Sequence, residues 1–173
     1  MLVMLKRLHF CLRRTKPMLN QLARLSVEAD GRYASSEELQ FLKDYIQSLD
    51  LRLSAYQKIQ AAQAEIVNAV ETQIRETNPN LYRKGNRDLT ATCKRDRFDV
   101  LRYCAATLLS NDLDHLRESF LLWYRTIIRA FGDEQAAGVT YKVMQEVLKK
   151  YLTPQEAALL SPIMGLNQVI LGK

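Results

Sequence analysis

Apolar residues recur at three- and four-residue intervals along most of this chain and seldom alternate, so the pattern predicts helices rather than strands. Leu22, Leu25 and Ala29, with Val27 beside them, predict a short amphipathic helix over 19–29, closed at Asp30-Gly31. It is too short to be stable alone in water and must pack on something. Ser35-Ser36-Glu37-Glu38 has the form of a capping box, with Ser35 accepting from the Glu38 amide while the Glu38 side chain reaches back. A helix through Phe41, Leu42, Tyr45, Ile46 and Leu49 follows, and Asp50 is the expected cap of the next run, Leu53 through Ile74. Within that run Gln60-Ala61-Ala62-Gln63-Ala64 allows either close packing or a break into two helices.

Asn78-Pro79-Asn80 ends the segment, and 82–86 reads as a loop carrying Arg83 and Lys84, with Arg87 just beyond. Asp88 is positioned to cap a helix that holds Cys93 and continues through Leu101, Cys104 and Leu108 to a stop at Ser110-Asn111-Asp112. Asp114 is expected to open the most aromatic helix, from Leu116 through Phe120, Trp123, Tyr124 and Phe131 to Gly132, and its Trp and Phe positions are expected in the core. Residues 139–152 predict another helix. Thr153-Pro154-Gln155-Glu156 then combines a cap, a first-turn proline and a capping-box glutamate ahead of a last helix to about Leu171, which Pro162 kinks or splits.

Composition agrees with an all-α protein, since 47% of the 173 residues are hydrophobic and only six are glycine and four proline. The formal charge of +6 invites a nucleic-acid reading, but residues 1–17 hold five basic side chains and no acid, while the rest is nearly balanced at 20 basic and 19 acidic. No basic stripe remains on the body, and no nucleic-acid partner is expected. The segment 1–17 is set apart as a basic leader, either preceding a translation start at Met18 or forming a basic helix on an anionic membrane surface. No run approaches the roughly 20 apolar residues of a membrane span.

Cysteines at 11, 93 and 104 have no metal-ligand spacing and cannot close a disulfide framework. His9 and His115 are the only histidines, which leaves a Cys-His hydrolase or a haem site without partners, so neither catalytic nor metal-binding residues are expected. The chemistry therefore concentrates on Thr92-Cys93-Lys94-Arg95-Asp96-Arg97. Cys93 and Asp96, three apart, share a helix face that Val100 extends. With Lys94 and Arg95 beside it near a helix N-terminus, the thiol is expected to favour thiolate and to act as a nucleophile or attachment point.

Cys93-Lys94-Arg95-Asp96 followed by Leu101-Arg102-Tyr103 resembles the Cys-x-Arg-Asp and Leu-Arg-Tyr segment of phycobiliproteins, the bilin-carrying subunits of phycobilisomes. Gly31-Arg32-Tyr33 with Glu37-Glu38-Leu39, Ile66-Val67, Asn111-Asp112 and the run 116–132 fall in order where that family has similar segments, so the resemblance spans residues 18 to about 171. It implies an all-α, globin-like body over 50–173 with an N-terminal helical hairpin over 18–48. It also implies a linear tetrapyrrole, a phycocyanobilin-type bilin, joined by a thioether to Cys93. In the family the residue matching Asp96 accepts from the inner pyrrole N–H groups, and the one matching Arg95 faces a propionate. Lys84 or Arg83 would serve the second propionate.

The resemblance further implies a partner. The two N-terminal helices of the family pack on another phycobiliprotein-like subunit, in a hetero- or homodimer, with an acid before Gly-Arg-Tyr paired to the Leu-Arg arginine; Glu28 and Arg102 match these, and Leu22 and Leu25 would line the interface. The alternative is a hairpin folded back on its own body. Asp99 and Val100 depart from the aromatic pair usual before Leu-Arg, and Asn111 from the usual glycine. The function implied is a non-enzymatic, phycobilisome-associated light-harvesting or energy-transfer subunit. Its expected place is the cytoplasm at the thylakoid surface, or the stromal side in a plastid, peripheral to the membrane at most. The alternatives are a bilin-free relative serving phycobilisome assembly, degradation or regulation, and a small sensor of light or bilin supply.

Overall fold

The computed structural model describes residues 18–172. The leader, and the choice between Met1 and Met18, lie outside them. The elements are α1 (Met18–Glu28), α2 (Gln40–Ala61), α3 (Gln63–Thr77), a two-stranded hairpin of β1 (Arg83–Lys84) and β2 (Arg87–Asp88), and α4 (Thr90–Ser110). A short α5 (Leu113–Leu116) leads through a π-helical turn (Arg117–Leu121) into α6 (Leu122–Phe131), and α7 (Glu134–Leu148) and α8 (Pro154–Leu171) complete the chain. The all-α expectation holds, with the hairpin as a minor addition.

One core unites the body. Ile66, Val67, Val70 and Ile74 of α3 meet Val100, Leu101, Cys104 and Leu108 of α4, with Met144, Val147 and Leu148 of α7 and Leu160, Ile163 and Met164 of α8 around them. Each set follows the three-and-four spacing of its helix, which is why periodicity located them. The predicted break between α2 and α3 falls at Ala62, a small residue whose amide still bonds to the Lys58 carbonyl oxygen at 3.0 Å. Asn111 stops α4 in the left-handed region at φ 54°, a conformation asparagine tolerates better than most residues. Pro162 lies inside an unsplit α8.

Four local expectations need correction. Asp50 caps nothing, because α2 runs unbroken from Gln40 to Ala61 and carries the chain from the hairpin into the body without a joint at residue 49 or 50. The residue that caps the aromatic segment is Asp112, which accepts from the His115 amide at 2.8 Å, and not Asp114. The helix expected over 139–152 starts earlier, at Glu134, and ends at Leu148. Trp123 and Phe131 are 59% and 64% exposed rather than core, Trp123 on the flank of the buried face that Phe120 and Ile128 define and Phe131 at the last residue of α6.

The N-terminal arm stands apart from this core. No residue of α1 is buried, and the buried residues of α2, Arg52, Ala55 and Ile59, all lie in its second half. The turn between the helices is held by polar bonds instead: Ser35 and Glu38 exchange the two bonds of the capping box, and Arg32 forks onto both Glu38 oxygens at 2.9 and 2.7 Å. Where α2 reaches the body, the Tyr45 hydroxyl donates to the Leu109 carbonyl at 2.7 Å and the Arg52 guanidinium to the Leu108 carbonyl at 2.8 Å. Those carbonyls belong to the last turn of α4, where helical acceptors lack intrahelical donors.

Candidate functional site

Cys93 sits in the first turn of α4, its amide bonded to the Leu89 carbonyl at 2.9 Å, and its side chain is half-buried against the core. The chain reaches it through the hairpin 83–88. The N-cap position is Leu89, which has no side-chain cap, and Asp88, one residue before it, accepts from the Thr90 amide at 2.9 Å, while the Leu89 amide bonds back to the Tyr82 carbonyl at 2.9 Å. Tyr82 is buried, and its hydroxyl shares a 2.7 Å hydrogen bond with Thr140 of α7. The base of the hairpin is thereby fixed to the body.

The thiol is not the activated one that its neighbours in sequence suggest. Burial pushes it up to about 11, Arg97 lowers it in part, and the Asp96 and Asp133 carboxylates push it up further. The two expected cations point elsewhere. Lys94 faces Glu71 at 3.6 Å, and the Arg95 side chain is 74% exposed, 3.6 Å from Asp96 Oδ1. Helix position and sequence proximity do not decide the charge state of a thiol when the charges are solvated and the sulfur is not.

Asp96 lies one turn beyond Cys93. Its Oδ2 accepts from the Tyr124 hydroxyl of α6 at 3.2 Å. Burial, then the Asp96 charge, drives that phenol well above its ordinary pKa, and the fully buried Tyr141 hydroxyl lies within bonding reach of it. Phe120 stacks between Tyr103 and Tyr124, at 4.0 and 5.4 Å between ring centroids, and Trp123 flanks Tyr124 at 6.4 Å. Tyr124 of α6 therefore stands beside Asp96, with Phe120 of the π-helical turn stacked on it, where the sequence has only Asp99 and Val100.

Arg97 is the residue that sequence reasoning missed. It lies four residues after Cys93 in the stripe that buries Val100, Leu101, Cys104 and Leu108, and only 1% of it is exposed. A cation inside an apolar stripe was itself a readable signal. Its Nη2 is 3.4 Å from Glu71 Oε2 and its guanidinium lies 5.2 Å from the centroid of the Tyr82 ring, but Nε and Nη1 are buried with no hydrogen-bond partner. Glu71 also faces Arg75 at 2.8 Å and Lys94 at 3.6 Å, so one carboxylate serves three cations. Buried guanidinium N–H groups left unpaired are costly, and a site with surplus positive charge and spare donors is suited to an anionic group.

Of the other expected pigment contacts, Arg83 is exposed in β1, opposite Asp88. Lys84 reaches across to the α6–α7 turn, 2.6 Å from Asp133 Oδ1 and bonded to the Phe131 carbonyl. At the arm, Leu22 and Leu25 are half-buried, while Leu19, Val27, Ile46 and Leu53 are exposed. Glu28 pairs with Arg24 at 2.6 Å and Arg102 with Asp99 at 3.3 Å. Both are solvent-facing pairs that hold little energy and are free to exchange partners.

The residues fit a linear tetrapyrrole in kind: a half-buried thiol, a carboxylate one turn away, stacked aromatic rings and spare guanidinium donors. Two small cavities of about 20 Å³ each, space for a water molecule, lie elsewhere among the described residues, one between α7 and α8 and one beside Glu71, Arg75 and Tyr82.

Among the described residues no helix is long and apolar enough to cross a membrane. Residues 25–168 match the phycobilisome protein family. The chain is 27% identical over 141 residues to the allophycocyanin alpha chain of Mastigocladus laminosus, covering 78% of this chain and 87% of that one. It is 30% identical over 125 residues to the allophycocyanin subunit beta-18 of Cyanidium caldarium, covering 69% and 74%. To the phycobiliprotein beta chain of Mastigocladus laminosus it is 29% identical over 127 residues, covering 70% and 75%. With most of its length matched and its all-α, globin-like fold in agreement, the chain belongs to the phycobilisome protein family, as a divergent member of a class of light-harvesting structural proteins rather than enzymes.

Proposed function

We propose that this chain is a phycobilisome subunit that carries one linear tetrapyrrole, of the phycocyanobilin type, through a thioether at Cys93. The observation that supports this most is the pairing of Cys93 with Arg97, a half-buried thiol one helical turn from a buried guanidinium with two unpaired nitrogens. Adding the S–H group across an exocyclic carbon–carbon double bond forms the C–S bond and delivers the proton to the neighbouring carbon, so no oxidant is needed. A thiol raised to about 11 is mostly protonated at neutral pH, so attachment calls for a general base, supplied by a lyase, rather than spontaneous attack.

Asp96 would accept from the inner pyrrole N–H groups through the oxygen that Tyr124 leaves free. Arg95, exposed beside it, would meet one propionate bidentately, and Lys84 or Arg83 the other. Tyr124, Phe120 and Trp123 would supply the aromatic packing that Asp99 and Val100 do not. Holding the pigment rigid suppresses torsional decay and lets excitation pass to a neighbour.

The arm is proposed as the contact with a second phycobiliprotein-like subunit, through Leu22 and Leu25, with Glu28 and Arg102 exchanging their present partners for each other's counterparts across the interface. The assembly would sit at the thylakoid surface. A second reading, a pigment-free subunit serving phycobilisome assembly, degradation or regulation, is favoured by one observation, a Cys93 thiol that burial keeps protonated at neutral pH.

Co-expression with bilin synthesis and a lyase, followed by acid–urea gels with zinc-enhanced fluorescence, separates the two. Covalent colour lost in Cys93→Ala supports the first reading; colour retained in that variant rejects the site, and no colour with any lyase favours the second.

A further inference from the structure

Arg97 lies four residues after Cys93 in the apolar stripe of α4. Helical side chains lean toward the N-terminus of their helix, so its guanidinium runs back toward the turn that carries the thiol. After burial, its charge acts on that thiol more strongly than any other. A counter-charge is already in place, since Glu71 Oε2 stands 3.4 Å from Nη2. Acceptors are what the guanidinium lacks, because Nε and Nη1 are buried without a hydrogen-bond partner. These two do not form one fork: each paired edge of a guanidinium includes Nη2, the nitrogen that faces Glu71. A single-atom acceptor such as a carbonyl oxygen fits either N–H without needing the fork.

Resting on the reading of Cys93 as a pigment site, we propose that Arg97 is a further pigment-binding residue, whose free N–H groups donate to the lactam carbonyl oxygen of the end ring that the thioether holds. A linear tetrapyrrole ends in two lactam rings and carries its propionates on the two inner rings. The ring bonded to the Cys93 sulfur stays beside it, and residues four apart on a helix are neighbours, so its carbonyl is the acceptor most readily brought to Arg97. The inner rings extend toward Asp96, where Arg95 is exposed to meet a propionate. A neutral acceptor also leaves the Arg97–Glu71 pairing intact, whereas a second carboxylate would add another desolvated charge. Because the thioether is a single-bonded tether, a charge-assisted bond to the carbonyl would stop the end ring from swinging about it.

The test titrates the full chain, as Cys93→Ala so that binding is reversible, with a phycocyanobilin-type bilin as free acid and as dimethyl ester. Adding Arg97→Met should weaken binding about tenfold, the order for a hydrogen bond to a charged donor, and by the same factor for acid and ester, because esterification leaves the lactam untouched. A loss that disappears with the ester would assign Arg97 to a propionate instead and overturn the inference. So would an unchanged affinity, or no binding of either form. Arg97→Lys keeps the buried charge without the planar donors and should show most of the loss; full affinity in that variant, with the same helical circular dichroism, would mean that charge alone acts and would overturn the inference.

A second readout needs no change at Arg97 in the chain being measured. In the parent labelled with nitrogen-15 arginine, loaded by a lyase, the guanidinium N–H resonances of Arg97, assigned by their absence from Arg97→Lys, should move downfield relative to the unloaded chain. Unmoved resonances in a chain covalently coloured at Cys93 would reject the Arg97 contact and leave the pigment-site reading standing. A chain that takes no colour with any lyase would reject both.

Discussion

Glu156→Gln tests how the arm is anchored. Glu156 is 1% exposed, at the start of α8, and its carboxylate accepts four hydrogen bonds: Ser54 and Lys58 on Oε1 at 2.7 Å each, Lys58 on Oε2 at 2.8 Å, and the Thr153 amide on Oε2 at 2.7 Å. Ser54 and Lys58 belong to the second half of α2, so this carboxylate joins the helix that carries the arm to the far end of the chain. Burial alone would raise its pKa, but the bonds from Lys58, Thr153 and Ser54 outweigh burial and bring it to about 2, from an ordinary 4.5. At roughly 1.4 kcal/mol for each tenfold change in acidity, that difference sets an upper limit of about 3.5 kcal/mol at pH 7. Lys58 is 41% exposed and therefore partly screened. A figure of about 2 kcal/mol is left, in line with the loss of charge-assisted bonds while the amide still serves Thr153.

Because the folded pKa lies below the unfolded one, the contribution is complete above about pH 5 and is lost as the pH falls toward 2, with less than about half remaining at pH 3. Urea denaturation of the parent and Glu156→Gln at pH 7, 5 and 3 measures this directly. The variant should be less stable by about 2 kcal/mol at pH 7, equivalent to roughly 4–8 °C in Tm for a chain of this size, and the gap should narrow by half or more at pH 3. A deficit that stays constant across the three pH values would mean that shape and not charge makes the contribution, and a deficit below about 0.5 kcal/mol at pH 7 would refute the reasoning.

Replacing Arg97 with Met exchanges an under-bonded buried cation for an apolar chain of similar length, and Arg75 and Lys94 remain to neutralise Glu71. The unloaded variant should be as stable as the parent or more stable by about 1 kcal/mol in denaturant, while covalent pigment yield falls; a marked loss of apo stability would refute the view that its two nitrogens await an acceptor. Leu22→Asp with Leu25→Asp should leave the monomer's thermal midpoint within about 1 °C, since no residue of α1 is buried, yet abolish co-elution with phycobiliprotein-like subunits in size exclusion. Normal pairing by that double variant removes the arm as the interface.

Much of the architecture was legible because its determinants are local. The apolar stripes of α3 and α4, the box at Ser35–Glu38, the stop at Asn111 and the Thr153–Glu156 start all depend on residues within a turn or two of one another. The errors fell where a second element decides. Asp50 has the chemistry of a cap, but the helix does not end there because Tyr45 and Arg52, on either side, are tied to the last turn of α4 and draw the backbone on in one piece. Trp123 has the spacing of a core residue, but the buried face of α6 is narrow and Tyr124, with its bond to Asp96, occupies the inward position beside it.

The same division runs through the site. Cys93 and Asp96 share a face by helical geometry alone, so their pairing was visible in four letters of sequence. What governs them was not. The thiol's acidity is set first by burial and then by Arg97, Asp96 and Asp133, and of these Asp133 arrives from a turn 40 residues downstream. Lys94 and Arg95, the neighbours that appeared to activate the sulfur, spend their charge on Glu71 and on solvent. Arg97 is the instructive case, since its place in the apolar stripe of α4 was readable and only its missing partners were not. A buried guanidinium with two idle nitrogens is destabilising to the isolated chain, and selection for stability alone would favour an apolar residue in that stripe. Under the proposed attachment at Cys93, one turn away, a ring carbonyl oxygen of the pigment would supply the acceptor that these two nitrogens lack.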